Sequence, residues 1–97
     1  MKFLLSHRAR VDLKNIVEYI QSESGERKTA EYFASRLVEK CRELAGQPFE
    51  MGRVRPELGV GIRTYAMGNY LIFFRYSNEV MEVVAIVEGH RDIEALF

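Results

Sequence analysis

The sequence has no tryptophan, two prolines and a single cysteine, Cys41. One cysteine rules out an intrachain disulfide, so this is not a small scaffold held together by cross-links, and the thiol fits a reducing compartment. Long apolar runs are also missing near the N-terminus. Phe3–Leu5 is the only continuous stretch there, too short for a signal peptide or a membrane span. The expectation is a soluble, cytoplasmic protein with no membrane partner. Net charge is absent as well, with 14 basic and 14 acidic residues. Phosphate neutralisation supplies much of the affinity of nucleic-acid binders, which usually carry a basic excess. A whole-molecule RNA-binding field is therefore excluded. A local patch is not: residues 47–76 hold four basic groups against two acidic, and residues 77–97 hold one against five.

What is present reads as one domain over residues 1–97. At 47% hydrophobic content the chain can build a single small core with a thin stability margin. A partner that covers apolar surface would stabilise it by mass action. There is no internal repeat, low-complexity tract or linker.

The periodicity sets the element order. Lys2–Leu5 reads as a short strand, and Ser6 offers an N-cap hydroxyl. Ala9, Leu13, Ile16, Val17 and Ile20 recur at helical spacing, so a first amphipathic helix is expected to run until Ser22–Glu26 breaks it. A second helix is expected over Arg27–Ala45, with Ala30, Phe33, Ala34, Leu37, Cys41 and Leu44 as its stripe. Gly46 and Pro48 end it. Residues from Gln47 to Gly59 have no apolar period and read as a loop long enough to suggest a functional element. A three-strand meander follows: Gly61–Ala66, a Gly68-Asn69 turn, Tyr70–Tyr76, a turn at Ser77–Glu79, and Val80–Val87. On the last strand, strict alternation puts Met81, Val83, Ala85 and Val87 on one side. The fold class is α+β, in the order β-α-α-β-β-β. A helical hairpin packs on one face of a small, mostly antiparallel sheet, and the other face is left to solvent or a partner.

Four arginines stand out in the middle segment: Arg53, Arg55, Arg63 and Arg75. Taken singly, each reads as a solvated side chain pairing with Glu50, Glu57 or the acidic tail. As a set they offer planar, multi-donor groups suited to phosphate or carboxylate. Arg63 and Arg75 sit on strands joined by one turn and are expected to share a sheet face. His90, in Glu88-Gly89-His90-Arg91-Asp92, is a residue type that moves protons near neutral pH, although a plain turn histidine is the favoured reading. Glu88, His90 and Asp92 alternate, yet His7 is remote and no second histidine completes a metal site. Gly59-Val60-Gly61 lacks the remaining glycines and the preceding strand of a nucleotide loop. No metal or cofactor is expected. Cys41 falls on an apolar stripe and reads as a core thiol. Tyr65, Tyr70, Phe74, Tyr76, Leu96 and Phe97 exceed the needs of so small a core. Those left exposed together would form an apolar patch for a partner helix or strand.

The ordered set of segments resembles the RelE/ParE toxin superfamily, and more closely ParE. The segments are Arg8–Ile20 (RARVDLKNIVEYI), the AxxFxxxLxxxCxxL spacing of Ala30–Leu44, Gln47–Arg63, Gly68–Tyr76 (GNYLIFFRY) and Val83–Phe97. The resemblance implies the toxin of a type II toxin–antitoxin pair that stabilises a plasmid or chromosome. Such a toxin is a non-enzymatic inhibitor that binds DNA gyrase and blocks replication. It is neutralised by a ParD-like antitoxin in a heterotetramer or larger complex, and the antitoxin, not the toxin, reads specific DNA. On this view Arg53, Arg55, Arg63, Arg75, Arg91 and Phe97 are the target-binding candidates. Tyr65, Tyr70, Phe74, Tyr76 and Leu96 are the antitoxin-binding candidates. The alternative within the superfamily is a RelE-type ribosome-dependent mRNA endoribonuclease, with the same arginines around the phosphate and His90 as acid or base. A second alternative is a non-toxic interaction module of the same fold.

Overall fold

The computed structural model describes residues 1–89. Its order is β1 (Lys2–Leu5), α1 (His7–Ser24), α2 (Arg27–Ala45), β2 (Arg53–Val54), a 3-10 turn (Pro56–Leu58), β3 (Arg63–Met67), β4 (Tyr70–Ser77) and β5 (Val80–Glu88). The five strands form one sheet in the order β1-β5-β4-β3-β2, parallel only between β1 and β5. The helical hairpin packs on one face, as expected. The strand count is one higher, because Arg53–Val54, assigned to the loop from sequence, pairs with β3. Two residues are too short a run to show a period.

The connection between strand and helix is made by side chains. Ser6 Oγ accepts from the Ala9 amide at 3.0 Å, capping α1, and donates to the Val84 carbonyl at 2.7 Å. One hydroxyl thus ties the start of the helix to β5, an interior strand of the sheet. Two turns on, Asp12 Oδ2 accepts from the Ile86 amide at 2.9 Å. That amide lies beyond the last β1 partner on β5, so the carboxylate takes the place of a missing neighbour strand.

The first helix ends inside the expected Ser22–Glu26 break, late in it, at Gly25. α1 runs through Ser22 and Glu23 to Ser24, whose hydroxyl donates back to the Ile20 carbonyl. Serines tolerate a last helical turn when they bond the backbone four residues earlier. Gly25, at φ 75°, is what ends the helix, its amide bonding the Gln21 carbonyl.

The larger correction concerns β5. Phe73 pairs with Ala85 and Phe74 with Val83, so Val84 is an extra residue, a β-bulge. One inserted residue reverses the facing of everything beyond it. Met81, Val83 and Ile86 therefore join the helix-side core with Ala9, Ile16, Leu37, Cys41, Leu44, Ile72 and Phe74. Ala85 and Val87 face the other way, with Phe73, Leu58 and Ile62. The second face of the sheet is thus neither bare nor wholly covered. The segment from Pro56 to Ile62 folds over part of it and builds a second, smaller core.

Candidate interaction surface

The four arginines do not converge. Arg63 pairs with Phe74 across β3 and β4, on the helix side, while Arg75 points to the opposite face beside Glu82. The expected shared face fails because the two residues differ in parity along the paired strands. Arg63 is a staple. Its Nη1 donates to the Met51 carbonyl at 3.1 Å, its Nη2 bonds Glu50 Oε1 at 3.1 Å, and the guanidinium lies 5.9 Å from the centre of the Tyr76 ring. The Tyr76 hydroxyl in turn accepts from the Met51 amide at 2.9 Å. Together they hold residues 50–52 against the sheet edge. Gly52 completes the fit: at φ 83° its backbone lies so close that a Cβ there would sit 2.6 Å from Phe74 Cζ and 2.9 Å from the Thr64 carbonyl oxygen.

Arg55 bonds Glu57 Oε2 at 2.8 Å and Arg75 bonds Glu82 Oε1 at 2.8 Å. The Arg55 hydrogen bond is the main cause that holds the Glu57 carboxyl below its usual range, and the charges of Arg55 and Arg53 add to it. Arg53 is exposed and forms no ion pair among the described residues. Three of the four arginines are thus partnered by carboxylates, two of them those foreseen, Glu50 and Glu57. His90, Arg91, Leu96 and Phe97 lie outside the described residues, as does Asp92.

The aromatic candidates are mostly structural. Phe74 is fully buried and has no surface to offer a partner; its ring meets Tyr76 edge-on, with centroids 5.8 Å apart. Tyr65 and Tyr76 are half-buried against the helix-side core, and Lys40 Nζ sits over the Tyr65 ring. Tyr70 packs on Phe33, with centroids 5.6 Å apart, and burial pushes its hydroxyl pKa up. It lines a groove of about 450 Å³, together with Arg8, Asp12, Ile16, Tyr19 and Glu88, while Tyr76 borders a second groove of about 550 Å³. Cys41 is buried in the core, as read from the stripe, and desolvation pushes its thiol up to about 11, far from a nucleophile's range.

The exposed apolar side chains lie elsewhere. Val60, at 97% exposure, is the extreme, and Leu4, at 57%, shares a groove of about 550 Å³ with it. Sequence reasoning passed over both. Val60 drew notice only as the middle of a glycine pair that fails as a nucleotide loop. An apolar residue between two glycines is itself a signal, because both neighbours free the backbone to turn it outward. Among the described residues no three acidic, histidine or cysteine side chains are grouped to hold a metal.

Against this geometry the comparisons are decisive for the family. The model of the ParE toxin of the type II toxin–antitoxin system parDE matches residues 3–93. The chain belongs to the ParE toxin family. Of solved structures, a chain of the chromosomal ParDE TA system from P. aeruginosa is similar over 91% of this chain and 95% of its own, with a TM-score of 0.77 and 22% identity. That likeness is one of fold: two helices on a mixed five-stranded sheet. A comparison with curated proteins finds no match. Membership fixes the class as a toxin of a type II system. Among the described residues no helix is long and apolar enough to cross a membrane.

Proposed function

We propose that this ParE-family toxin acts in the cytoplasm by binding DNA gyrase and blocking replication, without catalysing a reaction itself, and that a ParD-like antitoxin neutralises it in a heterotetramer or larger complex. The family match over residues 3–93 carries the proposal. The arginine geometry supports a binding role over a nuclease role. Phosphoryl chemistry needs several cations aimed at one point, whereas here Arg63 is spent on residues 50–52 and Arg75 lies on the other face. The antitoxin would cover apolar surface of the toxin, with Tyr70 the aromatic candidate that reaches the groove beside α1.

The test is a supercoiling and cleavage assay with gyrase and purified, antitoxin-free toxin. Inhibition with trapped cleavage complex, reversed by the antitoxin, is the expected result. No effect on gyrase, together with codon-specific mRNA cuts in a translating extract that vanish in His90→Ala, would instead establish the ribonuclease reading. Normal growth on expression without antitoxin would establish the non-toxic module.

A further inference from the structure

We infer that the sheet face opposite the helices is the target-docking surface, with Val60 as its anchor and an apolar socket rimmed by carboxylates on the target protein as its occupant. The inference rests on the gyrase reading above and gives that interaction an anchor, Val60, outside the arginine candidates.

Three observations carry it. The first is the way Val60 is held. It stands 97% exposed at the tip of a segment that is otherwise tightly fixed. Leu58 and Ile62, on either side, are buried in the second core with Phe73. The Arg55 amide bonds the Ile62 carbonyl at 2.8 Å, the Leu58 amide bonds the Arg55 carbonyl at 3.0 Å, and Glu57 is bonded to Arg55. Gly59 and Gly61 adopt φ values of 141° and 75°, so the chain turns the valine outward between two anchors. A rigid apolar knob loses little conformational entropy on binding.

The second observation is what surrounds the knob. Phe3 and Leu5 pack into the helix-side core, so the alternate β1 residues Lys2 and Leu4 lie on the other face. Leu4 pairs with Glu82, and Glu82 with Arg75, in one cross-strand row. Val60, Leu4, Val80, Arg75 and Glu82 line the groove of about 550 Å³. An apolar knob, an apolar groove wall and an ion pair between them make a mixed surface of the kind protein interfaces use.

The third observation is charge. Arg53 pairs with Thr64, and Thr64 with Phe73, which puts Arg53 on this face as well. The rows on this side and the segment crossing them carry Lys2, Arg53, Arg55 and Arg75 against Glu57 and Glu82, a net of +2 on a chain of zero net charge. A basic surface selects an acidic rim. Nucleic acid satisfies the charge, but a single valine is a small wedge for a base step, so a protein socket fits both features better.

The experiment measures binding of the full-length toxin to the gyrase holoenzyme and, separately, to a ParD-like antitoxin, with thermal melting as a fold control. Val60→Asp should weaken gyrase binding at least ~10-fold, as a charge forced into an apolar socket does, with melting temperature and antitoxin affinity unchanged. Arg53→Glu should weaken it less, mainly through the association rate, and lose its effect at high salt. Wild-type toxin that binds gyrase while Val60→Asp binds it equally well would overturn the inference and leave the gyrase reading standing. Loss of antitoxin binding with gyrase binding retained would overturn the assignment of this face to the target. An RNA probe bound by the wild type, weakened by Arg53→Glu and not by Val60→Asp, would hand the face to nucleic acid and overturn the inference. A wild type silent on gyrase would overturn both readings together.

Discussion

Phe73 and Phe74 are consecutive residues, each with no exposed surface, yet they hold opposite sides of the sheet in different ways. Phe74 sits under two helices, among Ile72, Met81, Val83, Leu37 and Cys41, and is closed off at the edge by Gly52 and Tyr76. Phe73 sits under a single non-helical segment that contributes Leu58 and Ile62. The first layer is built from regular elements whose backbone groups are satisfied internally. The second depends on a loop whose backbone hydrogen bonds close among its own residues, from Arg55 to Ile62. A sheet face covered by helices is sealed; a face covered by a loop keeps surface free for a partner. The difference teaches where each half of the molecule spends its apolar residues: on stability beneath the helices, on presentation beside the loop.

The comparison can be tested by truncation. Phe74→Ala should cost about 3–5 kcal/mol in denaturant unfolding, and Phe73→Ala should fall at or below the low end of that range. Phe74 lies in the larger cluster and Phe73 in the smaller one, so removing the Phe73 ring forfeits fewer contacts. Equal losses would show that the loop covers the sheet as completely as the hairpin does. Gly52→Ala comes next. The added carbon meets the Phe74 ring and the Thr64 carbonyl while the backbone stays at positive φ, so a loss of about 2–3 kcal/mol is expected. A smaller loss would mean that residues 50–52 move freely and that the helix-side layer is open at that edge.

Alkaline pH sharpens the same point. The folded protein keeps Cys41 as the thiol up to about 11, while an unfolded chain ionises it from 9.0 upward. The unfolded state then holds fewer protons, so stability falls as pH rises between those values, by roughly 3 kcal/mol in all. Unfolding of the wild type compared with Cys41→Ala isolates this term, and an absent difference would mean that water reaches the helix-side core. The smallest effect is Arg63→Ala, about 1–2 kcal/mol, since it removes the hydrogen bond to the Met51 carbonyl and the partly exposed ion pair with Glu50. Hydrogen exchange should localise that loss to residues 50–54. Exchange rates unchanged there would show that Tyr76 alone holds the segment.

How much was legible varied with the length of the signal. α2 was read residue for residue over Arg27–Ala45, because a long periodic stripe fixes both existence and face. Ser6 as a cap and the carboxylate partners of Arg55 and Arg63 were also readable, since they depend on neighbours in sequence or on opposite charges in one segment. The two-residue β2 was not, and neither was the bulge at Val84, which no local pattern marks because both sides of β5 are apolar. The candidate surface suffered most. Counting arginines suggested a cluster, and counting aromatics suggested a patch. Strand parity separated the first, and the sheet buried much of the second.

The sequence by itself determined the order of the longer elements, the apolar stripes of the two helices, the inert thiol and the family, because each rests on periodicity or on an ordered set of segments that spans the chain. Only the tertiary structure decided which residues face outward. One extra residue on β5 exchanges the two faces beyond it, and two glycines with buried neighbours turn Val60 to solvent. Those outcomes depend on pairing register and on packing between distant segments, which a linear pattern does not carry.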